Sequence, residues 1–131
     1  MPVVQLSKHN FKQTIEQHPF VIIDFWAPWC EPCLAFTDTF EAASSQHADI
    51  VFAQINIDDD PEIAASFNLK QIPALLVIRQ QIVVDAQIGA MTAQELDQAI
   101  AAWGAFDISE IDRHFNEKAQ KESAGATAVE F

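Results

Sequence analysis

Cationic side chains are scarce in this chain. Seven Lys and Arg stand against nineteen Asp and Glu among 131 residues, for a formal net charge of −12. Such a surface repels nucleic acid and anionic lipid. No basic cluster with interleaved aromatics interrupts it, so nucleic-acid binding is excluded. No apolar run approaches the roughly 20 residues of a membrane span. The opening Met1-Pro2-Val3-Val4-Gln5-Leu6-Ser7-Lys8 lacks a basic region followed by a long apolar stretch, so it does not read as a secretory signal. The expected location is the cytoplasm. Cysteine is nearly missing: there are two. In a reducing compartment two cysteines point to redox work or metal binding, not to a structural staple. Structural zinc needs four ligands, yet there is no second Cys-x-x-Cys, and His9, His18, His47 and His114 are scattered. No metal site and no nucleotide-binding loop is expected, and no bound cofactor.

Half of the residues are hydrophobic, enough for one domain with its own core. The two cysteines stand in Trp29-Cys30-Glu31-Pro32-Cys33, directly after the apolar run Phe20-Val21-Ile22-Ile23-Asp24-Phe25-Trp26. The run reads as a buried strand. Three residues apart on the first turn of a helix, two side chains share one face, near the separation a disulfide needs. Pro32 fits a first turn, where its missing N–H costs nothing. A Cys-x-x-Cys where a strand runs into a helix is a dithiol redox pattern.

The remaining pattern alternates strands and helices. Val3 to Leu6 is an edge strand, and Ser7 is the expected N-cap of a helix carrying Phe11 and Ile15. A helix runs from Pro32 through Phe36 and Phe40. Ile50 to Ile57 is a strand, and Asp58-Asp59-Asp60-Pro61 caps a short helix with Ile63, Ala64 and Phe67 inward. Ala74 to Ile78 and Ile82 to Ile88 form a hairpin across Gln80-Gln81, although neither residue favours positive φ. Thr92 and Glu95 make a capping box for a helix with Leu96, Ala99, Ile100 and Trp103 on its apolar face. The order βαβαβαββα predicts an α/β fold, a mixed central sheet with helices on both faces. Residues 1–106 form this domain. In the extension, 107–131, Asp107 and Glu110 cap a short amphipathic helix through Ile108, Ile111 and Phe115, and a mobile tail follows from Ala119.

The segment Asp24-Phe25-Trp26-Ala27-Pro28-Trp29-Cys30-Glu31-Pro32-Cys33 resembles the active-site stretch of the thioredoxin family. Ile72-Pro73 is similar to its second signature, and Gly89 to the glycine closing its substrate groove. The resemblance covers about residues 3 to 103. It implies a thioredoxin-like fold and protein disulfide reduction by thiol exchange. Cys30 is then the nucleophile, whose thiolate a helix N-terminus favours, and Cys33 the resolving thiol. Asp24, costly to bury unpaired and so expected to titrate high, accepts the proton of Cys33. Pro73 is implied to be cis, facing Cys30. Ile72 offers backbone to an extended substrate, with Trp29, Ile88 and Gly89 along the rim. Protein disulfides are the implied substrates and an NADPH-dependent thioredoxin reductase the implied partner, with the chain a monomer.

Four residues depart from the family pattern. Glu31 replaces a glycine, Leu34 a common basic residue, Gln54 a lysine beside the buried aspartate, and Gln71 a glycine. Glu31 opposes a neighbouring thiolate by about 0.6–1.2 kcal/mol at an effective dielectric of about 40 to 80. Together with Pro32 it tunes the site, and it favours the disulfide, predicting a more reducing couple. Without a lysine at 54, Asp24 is expected to stay protonated to higher pH. An oxidase or isomerase is the first alternative, and Glu31 argues against it. The second is a binding module or co-chaperone using the apolar groove and the extension.

Overall fold

The computed structural model describes residues 3–106 and 129–130. Its elements run β1 (Val3–Leu6), α1 (Phe11–Gln17), β2 (Phe20–Trp26), α2 (Glu31–Gln46), β3 (Val51–Asn56), α3 (Pro61–Ser66), β4 (Gln71–Ile72), β5 (Ala74–Arg79), β6 (Ile82–Ile88), α4 (Ala93–Ala105) and β7 (Val129–Glu130). Five strands form one sheet in the order β1-β3-β2-β5-β6. β3 pairs parallel with both β1 and β2, whereas β5 is antiparallel to β2 and to β6. This is the expected mixed sheet. β2 lies at its centre, so its residues are covered on both faces and read as one apolar run.

Strand alternation divides the interior in two. Val21, Ile23 and Phe25 pack on one face with Phe11, Ile15, Ile63, Ala64 and Phe67 from the α1 and α3 side. Ile22 packs on the other with Phe36 and Phe40 of α2 and Leu96, Ile100 and Trp103 of α4. Phe40 meets Phe52 edge-on at 5.2 Å between ring centroids, a favoured aromatic geometry. Asp85 on β6 accepts the Trp103 indole N–H at 2.6 Å, which ties α4 to the sheet. Arg79 Nη1 donates to the carbonyls of Trp103 and Phe106, closing the C-terminal end of α4.

Several local expectations are corrected. Asn10, not Ser7, is the N-cap of α1. Ser7 instead opens a turn: its carbonyl accepts from Asn10 N and Phe11 N, and its own N–H donates to Asn10 Oδ1 at 2.7 Å. Asp60 takes the N-cap position of α3 without capping it through its side chain. Its Oδ1 accepts from Lys8 N, joining α3 to the β1–α1 turn. The capping box at Thr92 and Glu95 forms as expected, with both reciprocal bonds present. The expected helix over 107–115 lies outside the described residues. Of the tail expected to be mobile, Val129–Glu130 are described, and they pair with β4 as a strand.

Candidate active site

The end of β2 delivers the chain into a tight turn, closed by a bond from Cys30 N to Ala27 O at 3.1 Å. Cys30 is the N-cap of α2, with extended backbone, and Pro32 sits in the first turn. The Cys30 sulfur does the capping: it accepts the Cys33 backbone N–H at 3.2 Å. An N-cap acceptor satisfies one of the helix's orphan donors. A helix N-terminus in general favours a thiolate over a thiol. The two cysteines are joined in a disulfide, their Cα atoms 5.3 Å apart, within the usual range. Cys30 keeps only 1% of its surface and Cys33 none. Both sulfurs are enclosed in this state.

Two flanks border the dithiol. On one, the peptide bond between Ile72 and Pro73 is cis, and the Ile72 carbonyl oxygen lies 3.9 Å from Cys30 Sγ. Ile72 is fully buried. Gly89 N donates to Pro73 O at 2.8 Å, and Ile88 pairs with Ala74, so the end of β6 is clasped to the same loop. Gly89 has φ of 100°, a conformation only glycine adopts readily. On the other flank Trp29 is half exposed, at 51%. Its indole N–H donates to Asp58 Oδ1 at 3.1 Å. In the sequence Asp58 stands out only as part of a helix cap. Nothing local marks it as the anchor of Trp29, because the two meet only when β2 and β3 align. Trp26, partly buried, packs against the core. Glu31 and Leu34 are exposed on the first turn of α2.

On β2, Asp24 is fully buried. β-Register places it level with Gln54 on β3, and Gln54 level with Gln5 on β1. Gln5 Nε2 donates to Gln54 Oε1 at 3.0 Å, and Gln54 Nε2 donates to Asp24 Oδ2 at 3.2 Å. A polar row thus enters the core from the sheet edge. Among the described residues, Asp24 Oδ1 meets no donor. Burial pushes the carboxyl up to about 7 from 3.8, and the Gln54 hydrogen bond offsets part of that rise. Gln54 was expected beside Asp24 as a replaced lysine; Gln5, which orients that amide, was not foreseen. By strand alternation Asp24 shares the sheet face of Ile22, the face that α2 covers.

Among the described residues no helix is long and apolar enough to cross a membrane. The Thioredoxin family model matches residues 2–102. A putative thioredoxin 2 from Streptomyces coelicolor is 39% identical over 108 residues, covering 82% of this chain and 81% of that protein. The thioredoxin of Porphyra purpurea is 34% identical over 102 residues, covering 76% and 95%. A mutant thioredoxin from Halobacterium salinarum superimposes with a TM-score of 0.74 at 20% identity, over 81% of this chain and 94% of that one, a likeness of fold. Family match, relatives and the bonded Cys30–Cys33 pair agree: the chain belongs to the thioredoxin family, as a thiol–disulfide oxidoreductase with protein disulfide reductase activity.

Proposed function

We propose that Cys30 is the attacking thiol, Cys33 the resolving thiol and Asp24 the proton acceptor of this reductase. The Cys30 thiolate attacks one sulfur of a substrate disulfide. A bond forms between them, the substrate S–S bond breaks, and the second substrate sulfur leaves as a thiolate that takes up a proton. Cys33 passes its proton towards the Asp24 carboxylate and attacks Cys30 Sγ. The mixed disulfide breaks and the substrate departs as a dithiol, two electrons richer, while the enzyme carries the Cys30–Cys33 disulfide. Holding the two thiols three residues apart makes the second step unimolecular.

Thioredoxins act on protein disulfides, and the substrate is taken here as an extended segment pairing with the backbone of Ile72 beside Pro73, with Trp29, Ile88 and Gly89 at the rim. A reductase drawing on NADPH returns two electrons to the pair. The catalytic domain is residues 1–106, it works as a monomer, and the compartment is the cytoplasm, where free thiols persist.

One observation carries the reading. The Cys30 sulfur caps α2 on the Cys33 N–H, is bonded to Cys33, and faces the Ile72 carbonyl. Insulin reduction with NADPH and a thioredoxin reductase tests it. Cys30→Ser abolishes turnover, and Cys33→Ser accumulates a mixed disulfide on Cys30. Sustained turnover by Cys30→Ser would refute the assignment.

A further inference from the structure

β4 stands outside the five-stranded sheet and has a different partner. Gln71 and Ile72 pair antiparallel with β7, in the register Gln71↔Glu130 and Ile72↔Val129. The Ile72 carbonyl is the group 3.9 Å from Cys30 Sγ. The chain's own residue 129 is thus level with the residue that borders the nucleophile. A strand added to an exposed edge gains its affinity from main-chain hydrogen bonds and occupies that edge against any other strand. In the same structure Cys30 keeps 1% of its surface. A disulfide entering in line with Cys30 Sγ needs that approach open.

The chemistry of the segment suits an occupant that is not consumed. Both cysteines of the chain lie in the site itself, so Ala126-Thr127-Ala128-Val129-Glu130-Phe131 has no sulfur to exchange. It also has no proline, so each of its residues has an N–H to contribute. The segment is tethered. The chain between Ala105 and Val129 is long enough to reach across a domain of this size. A short pairing that would be weak between separate molecules competes well when its partner is on the same chain, at an effective concentration that can reach the millimolar range.

We propose that β7 is a built-in occupant of the strand-docking edge at Ile72, where the C-terminal strand competes with the extended polypeptide that brings a disulfide to Cys30. This rests on the reading that substrates pair with Ile72. Protein substrates must displace β7, whereas a small disulfide with no backbone to pair does not compete for that edge. The occupant raises KM for protein substrates and leaves kcat unchanged.

The test uses the full chain carrying Val129→Pro and Glu130→Pro together, which removes both N–H donors of β7. Amide hydrogen exchange at Gln71 and Ile72 reads the contact, with exchange in β2 and β3 as the control for folding. Insulin reduction reads competition, and hydroxyethyl disulfide is the small substrate. The expected result is at least about tenfold faster exchange at Gln71 and Ile72, and a KM for insulin lower by about three- to tenfold at unchanged kcat. Hydroxyethyl disulfide rates stay the same. A synthetic peptide of residues 122–131 then raises the insulin KM of the variant again, competitively. Unchanged exchange means that the β4–β7 contact does not exist in solution, and overturns the proposal. Faster exchange with unchanged KM means that substrates dock elsewhere, and overturns the Ile72 docking reading along with it. Protection that grows with protein concentration assigns the strand to a second copy, and overturns self-occupancy.

Discussion

Asp24 and Asp85 are both acids sealed inside the same sheet, at 0% and 1% exposure. Their partners differ. Asp85 accepts on both oxygens, from Ala86 N at 2.8 Å and from the Trp103 indole at 2.6 Å. Asp24 accepts on Oδ2 alone, from Gln54. Its Oδ1 meets no donor among the described residues. A buried carboxylate held on both oxygens is a structural joint. One left half open keeps a lone pair for a proton and pays for it in desolvation. Burial alone does not mark an acid as functional; a buried carboxyl with an unsatisfied oxygen is the stronger candidate.

The sharpest way to break this comparison is to neutralise Asp24. Its folded pKa, about 7, stands above the ordinary 3.8. Between those values the folded chain holds a proton that the unfolded chain has released. The stability contributed by the neutral acid is therefore fully present below the unfolded value and lost as pH rises to about 7. The full loss is on the order of 4 kcal/mol. Asp24→Asn should gain a few kcal/mol in denaturant titrations at pH 8 and little near pH 4. It should also slow resolution of the mixed disulfide by about 100-fold. In the wild type that step should slow as pH falls below about 7. An equal stability gain at both pH values would remove the desolvation argument.

Asp85→Ala should act in the opposite direction. It leaves the Trp103 indole N–H and the Ala86 N–H without their acceptor, and should cost about 2–4 kcal/mol at pH 7. The rate of thiol exchange per folded molecule should not change. A slower exchange rate would make Asp85 a member of the site.

A smaller change sharpens the contrast from within the polar row. Gln54→Lys places a cation beside Asp24 and should lower its titration midpoint by at least about 1 pH unit. NMR titration of the Asp24 carboxyl decides this, and equal midpoints would show that the residue at 54 does not tune it. The smallest expected effect is at the mouth of the helix. Glu31 is exposed, so its field at the thiolate is screened. Glu31→Gly should make the couple more oxidising by no more than about 25 mV in glutathione equilibration. A variant more reducing than the wild type would contradict the electrostatic account.

The strands, the helices and the dithiol were legible because their signals are local. An apolar run, a Cys-Glu-Pro-Cys turn and a Thr92–Glu95 box each carry their cause within a few residues. The hairpin at Gln80–Gln81 shows the limit. Both residues adopt positive φ, at 54° and 66°, against their own preference. The pairing of β5 with β6 over both strands outweighs two unfavourable turn residues. Ser7 was misassigned because several polar residues near α1 can cap it, and the turn fixed by Asn10 Oδ1 selects among them. Gln5 and Asp58 were unreadable as site neighbours, since each meets its partner only through strand register.

Sequence by itself determined which residues could do the chemistry: two sulfurs on one helical turn, an acid in an apolar strand, and an acidic surface with few cations. Those properties follow from residue type and short spacing. Tertiary structure alone decided that Asp24 has one oxygen without a donor among the described residues, that Gln5 and Gln54 reach it from the edge, that Ile72 borders Cys30, and that residues 129–130 lie along β4. These pairings join segments far apart in the chain, and the energy that selects them is spread over the packed sheet, not written at any one position.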